Sequence, residues 1–170
     1  AADASLTTTM KSVGEAMAIG RSFPEALQKA LRSLEKRGSS FHWDGAPAGP
    51  EELDSLMAQV AVPTDGRIVA VQQALRAGVG VDVLHEATGI DPWFLEEMAG
   101  IEEVAAEVAA SPELTVDLLR RAKRAGFSDA QLGALRSMPE DVVRGVRHAL
   151  GVRPVYKTVD TCAAEFAAST

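Results

Sequence analysis

Apolar and polar residues alternate with the period of a helix along most of this chain. Ala26, Leu27, Ala30, Leu31 and Leu34 stand three and four apart, a spacing that places them on one side of an α-helix. Ser22 precedes the run as an N-cap, with Pro24 and Glu25 in the first turn, where a missing N–H costs nothing and a negative charge is favoured. Lys36 and Arg37 occupy the last turn, and Gly38 ends it. The longest helix is predicted to open at Asp91-Pro92, run to about Ala110 and close at Ser111-Pro112. Phe94, Leu95, Met98, Ile101, Val104, Ala105 and Val108 form its apolar side; Glu96, Glu97, Glu102, Glu103 and Glu107 form the other.

Six shorter helices are predicted: Glu51 to Val60, Arg67 to Ala77, Val81 to Thr88, Thr115 to Ala125, Asp129 to Met138 with Ser128 as its cap, and Pro139 to Leu150. Gly78, Gly89, Gly126 and Gly151 stand where helices must stop, and Asp65 sits in a turn as a cap for the helix after it. Residues 38–50 are rich in Gly, Pro and Ala and predict a loop, pinned to the core by Phe41 and Trp43. No alternating run supports a sheet. The expected fold is all-α: an irregular bundle of about seven or eight short-to-medium helices, with extended tails at both ends. Residues 1–21 carry regular small residues and read as extended chain packed against something larger. Residues 152–170 begin β-branched and broken by Pro154, and read as a linker. The helical body is placed at 22–151.

Composition narrows the picture. The 170 residues suit one domain; 46% are apolar but only 5% aromatic, so the core must be built from Ala, Leu, Val and Ile. The net charge of −7 disfavours general binding to phosphate backbones. Acids dominate from Glu51 to Glu113 and bases from Arg120 to Lys157, which offers either mutual attraction or two solvated faces. A single cysteine, Cys162, allows no internal disulfide and fits a reducing, cytoplasmic setting. No membrane span and no signal peptide are visible. The chain begins without Met, and both ends read as cut from something longer.

Candidate chemistry is sparse. His42, His85 and His148 lack ligand spacing, and Cys162 has no Cys or His near it, so no metal site is expected. Cys162 has no visible base beside it and reads as a small buried residue rather than a nucleophile. There is no phosphate-binding loop; Gly78-Val79-Gly80 is a helix stop and restart. The pairs Glu96-Glu97 and Glu102-Glu103 read as a solvated helix face rather than acid/base machinery. No catalytic, cofactor-binding or metal-binding residue is therefore named. One nucleic-acid reading competes: Leu118 to Leu150 resembles a helix-turn-helix in outline, its recognition helix offering Gln131, Arg136 and Ser137.

Four segments carry a resemblance to a family. Met10-Lys11-Ser12-Val13-Gly14-Glu15-Ala16-Met17-Ala18-Ile19-Gly20-Arg21 resembles the stretch that closes the first synthetase half of carbamoyl phosphate synthase large subunits. Pro154-Val155-Tyr156-Lys157-Thr158-Val159-Asp160-Thr161-Cys162-Ala163-Ala164-Glu165-Phe166 is similar to the lead into the second half. Gly89-Ile90-Asp91-Pro92-Trp93-Phe94-Leu95 resembles the family's Ile-Asp-x-Trp-Phe-Leu motif, and Ala122-Lys123-Arg124-Ala125-Gly126-Phe127-Ser128-Asp129 its Lys-x-x-Gly-Phe-Ser/Ala-Asp turn. Order and spacing agree over nearly the whole chain; residues 38–66 depart most. The resemblance implies an oligomerisation and connecting segment between two synthetase halves, itself non-catalytic and without a cofactor. It implies a parent ligase that uses ATP, Mg or Mn, and K, and draws ammonia from a glutaminase small subunit. Its partners would be the flanking halves and another large subunit, with neither nucleic acid nor membrane. Leu27, Leu31 and Leu34 are the candidate association surface; they serve equally as a stripe facing the segment's own core.

Overall fold

A computed structural model describes residues 5–11, 15–36 and 38–160. Among these there are eight helices and no strand: α1 (Phe23–Ser33), α2 (Pro50–Ala61), α3 (Arg67–Arg76), α4 (Val81–Thr88), α5 (Pro92–Ala110), α6 (Val116–Arg124), α7 (Asp129–Arg136) and α8 (Glu140–Ala149). The order and number match the periodicity. Residues 15–20 and 152–160 carry neither helix nor strand; Cys162 with the rest of 161–170, and Ser12-Val13-Gly14 of the first tail, lie outside the described residues.

α5 is the axle. It packs against α1, α3, α4, α6 and α7, while α2 packs on α3 and α4, and α7 packs on α8. Leu95, Met98, Ile101, Ala105 and Val108 of α5 are buried, the spacing that brings one helix face to the core. Around them lie Val60, Val71, Ala74, Leu84, Leu118, Leu119, Leu132 and Val143. As the composition required, aliphatics fill this core. The aromatic exceptions include Phe41 and Trp43, which hold the 38–49 loop inward; Trp43 stacks on Phe127 with ring centroids 4.9 Å apart.

Local signals account for most helix starts. Ser22, Asp91, Thr115 and Ser128 accept backbone N–H groups there, satisfying donors that no intrahelical carbonyl reaches. Three signals failed. α1 ends at Ser33, with Glu35 at φ 50°, so Lys36 lies beyond the helix and Arg37 outside the described residues; the Glu35 kink follows α1 before Gly38 is reached. α7 ends at Arg136 rather than Met138, because Ser137 adopts the left-handed conformation. Asp65 leaves α3 without a side-chain cap and pairs with Lys36 instead.

Arginines add hydrogen bonds at helix ends. Arg67 donates to Val60 O at 2.8 Å and to Thr88 O at 3.2 Å, tying the last turns of α2 and α4. Arg136 reaches Val108 O, Ala109 O, Ser111 O and Pro112 O, covering the carbonyl end of α5. A guanidinium suits this work because its five donors spread in one plane.

Candidate functional site

Among the described residues no group of His, Cys, Asp and Glu converges as a metal site. His85 is exposed, its Nδ1 2.7 Å from Ile90 O at the α4–α5 turn. Glu96 and Glu97 border a surface groove opposite Arg121 and Arg124. The other predicted acid face is not uniform. Glu102 turns inward, accepting Trp43 Nε1–H at 2.8 Å and Gln72 Nε2–H at 2.8 Å. Burial raises its carboxyl above the usual range, against the pull of those hydrogen bonds and of Arg76. Its work is to hold the loop and α3 to α5.

The residues proposed for reading bases are occupied inside the fold. Gln131 donates to Gln28 Oε1 at 3.0 Å and to Phe41 O at 2.9 Å, and Arg136 closes α5. Asp129 gathers Arg147 Nη2 at 2.8 Å, Lys123 Nζ at 3.0 Å and Arg144 Nε at 3.7 Å. Burial pushes the Asp129 carboxyl up, but the bonds and charges of Arg147 and Lys123 overcome it and hold it below its ordinary value. The basic half of the chain is thus drawn partly onto its own carboxylate. Only one of its described ion pairs, Arg121 with Glu107, reaches across to the acidic half.

The three leucines of α1 divide. Leu31 is buried in the core, Leu27 is half-buried against it, and Leu34 is 49% exposed just past the helix end. A second apolar surface escaped the periodicity. Phe94, counted on the core side of its helix, is 41% exposed, and Trp93 is 51% exposed. Phe23 packs between them, 5.6 Å from Trp93 and 5.1 Å from Phe94, ring centre to ring centre. The helical period placed Phe94 within the apolar stripe, but at the first turn of α5 the bundle leaves that side partly open.

These features compose a scaffold with exposed apolar points, and the comparisons with known proteins agree with that description. Residues 15–151 match the family model described as the carbamoyl-phosphate synthetase large chain, oligomerisation domain. The chain belongs to this family. Its relatives include the carbamoyl phosphate synthase large chain of Kineococcus radiotolerans, 66% identical over 170 residues, which is all of this chain and 15% of that protein. That of Streptomyces coelicolor is 63% identical over 169 residues, 99% of this chain and 15% of that protein. That of Micrococcus luteus is 61% identical over 172 residues, with the same 15% share. The chain therefore spans about 15% of the length of the relatives it matches. The helix-turn-helix alternative finds no support in the family match or in the occupied side chains of α7.

Proposed function

We propose that this chain is the association and connecting segment of a large chain that makes carbamoyl phosphate from bicarbonate, glutamine-derived ammonia and two ATP, for pyrimidine and arginine synthesis. The observation that carries the reading is the family match across 15–151, the stretch that holds all eight described helices. In this reading residues 1–21 end the first synthetase half, 22–151 form the helical body and 152–170 lead into the second half. ATP, Mg or Mn, and K belong to the flanking halves, and a glutaminase small subunit supplies ammonia. No helix among the described residues is long and apolar enough to cross a membrane, and in this reading the enzyme works in the cytoplasm.

The segment's contribution is positional. Two half-reactions at separate sites need a fixed spacing between them, and a helical body gathered on α5 supplies it. Association with another large chain runs through Leu34, the exposed member of the leucine set, with Leu27 and Leu31 bracing it from the core side. Such contacts are normally two-fold and self-complementary. Sedimentation equilibrium over a wide concentration range tests this. A reversible rise in molar mass supports it; a monomer at every concentration, in this chain and in the full large chain, overturns it.

A further inference from the structure

We propose that the Phe23–Trp93–Phe94 surface is the seat of the polypeptide that precedes this segment in the full large chain, and is not a contact between copies; this rests on the connecting role argued above. The chain holds five Phe, two Trp and one Tyr. Phe41, Trp43 and Phe127 form the aromatic part of the core, while three others gather at one surface point. Trp93 and Phe94 meet nearly edge to face, 4.9 Å apart at 81°. Mutual packing of this kind holds rings in place but leaves their outer faces wet, and large apolar side chains grouped on a surface mark a docking site. Beside them runs a groove of about 320 Å³ bordered by Pro24, Glu96, Glu97, Gly100, Arg121 and Arg124. Its charged edges offer both signs to a partner.

The path of the chain selects the occupant. The backbone before α1 is pinned within a few residues of Phe23. Lys29 Nζ donates to Ile19 O at 3.1 Å, and Arg21 N–H donates to Glu25 Oε2 at 2.9 Å. Gly20 lies so close that a Cβ there would stand 2.6 Å from Ala26 N. Farther back, Leu6 N–H donates to Pro63 O at 2.6 Å; from there Arg67, four residues on, bonds Thr88 O, three residues before the cap of α5. The incoming polypeptide is thus held at two points, one of them at the start of α1, whose Phe23 belongs to the cluster. Ile19, 47% exposed, stands on this pinned segment four residues before Phe23. The relatives are more than six times as long as this chain, since it covers 15% of each. Whatever precedes it is delivered to the aromatic cluster at the effective concentration of a short tether, which a free second copy does not match.

The test is a photocrosslink in the full-length large chain. Trp93 is replaced by benzoylphenylalanine, and the variant is mixed with an equal amount of heavy-nitrogen wild-type chain and left to exchange. Irradiation followed by peptide mass spectrometry should give adducts to residues that precede this segment, all light paired with light. These should outnumber mixed-isotope adducts by about tenfold or more, as tethering requires. Adducts that pair light with heavy would overturn the proposal in favour of a second copy. Adducts to residues after Thr170, or label consumed only by water, would overturn it too. Sedimentation of the same mixture reports association separately, so a chain that never assembles sinks the oligomer reading and leaves the crosslink result standing.

Discussion

Two carboxylates, one buried and one half-buried, make opposite demands on pH. Asp129, 7% exposed, holds Arg147 through paired bonds and Lys123 through one. Asp129→Asn leaves Arg147 buried without its counter-charge, which costs about 3–5 kcal/mol, measured by urea denaturation at neutral pH. Because the folded pKa lies below the ordinary 3.8, the stability it supplies is present above that value and fades as pH falls through the lower one. Glu102 behaves the other way. Its folded pKa lies above 4.5, so its contribution is full below 4.5 and is lost as pH rises through the raised value. The stability of wild type relative to Glu102→Gln should therefore grow on acidification, whereas relative to Asp129→Asn it should shrink. Denaturation curves collected from neutral to acid pH give both slopes, and parallel curves would refute the assignment. Neither role was legible in the sequence. Glu102 sits in a run of glutamates whose spacing says only that most face water, and its inward turn depends on Trp43 and Gln72 arriving from elsewhere.

At the scale of elements, starts were readable, and so were the ends marked by Gly89, Gly126, Gly151 or Ser111-Pro112, while α1 and α7 stop short of the residues read as their last turns. A start is written in one or two residues, such as Asp91-Pro92 or Ser128 three before Gln131, because a side chain caps its own helix. The carbonyls at the ends of α2, α4 and α5 are met by Arg67 and Arg136, which come from other helices, and no local pattern announces those bonds. The same holds for the join of α1 to the α6–α7 turn. Gln28 donates to Ala125 O at 2.8 Å, Arg32 donates to Gly126 O at 2.7 Å, and Gln131 completes the set through Gln28. Gly126 permits the approach: its φ is 92°, and a Cβ would stand 3.0 Å from both Glu25 Cα and Gln28 Cβ. Gly126→Ala should thus both strain the turn and push α1 away. Arg136→Lys keeps the charge but not the fork of donors. It should speed amide exchange in the last turn of α5, with a stability loss of about 1–3 kcal/mol from carbonyls left unpaired; unchanged exchange there would show that water serves those carbonyls as well.

At the scale of the whole molecule, the fold class followed from periodicity, and the family resemblance from four ordered motifs; the surfaces did not follow from either. A stripe at helical spacing says that one face is apolar without saying what covers it, and the three leucines of α1 received three different burials. That difference makes a decisive pair of variants. Leu31 is buried, so Leu31→Ala removes core contacts and should cost about 2–5 kcal/mol of stability. Leu34 is about half exposed, so Leu34→Ala leaves the core intact and should change stability by less than about 0.5 kcal/mol. If Leu34 meets a second large chain, the order reverses for association. Leu34→Ala should weaken the oligomer at unchanged denaturation midpoint, while Leu31→Ala should weaken it only in step with unfolding. Mass against concentration, paired with a denaturation curve on each variant, separates the two. Should Leu34→Ala alter neither, the leucine stripe belongs wholly to the segment's own core, and the copies of the large chain meet on some other face.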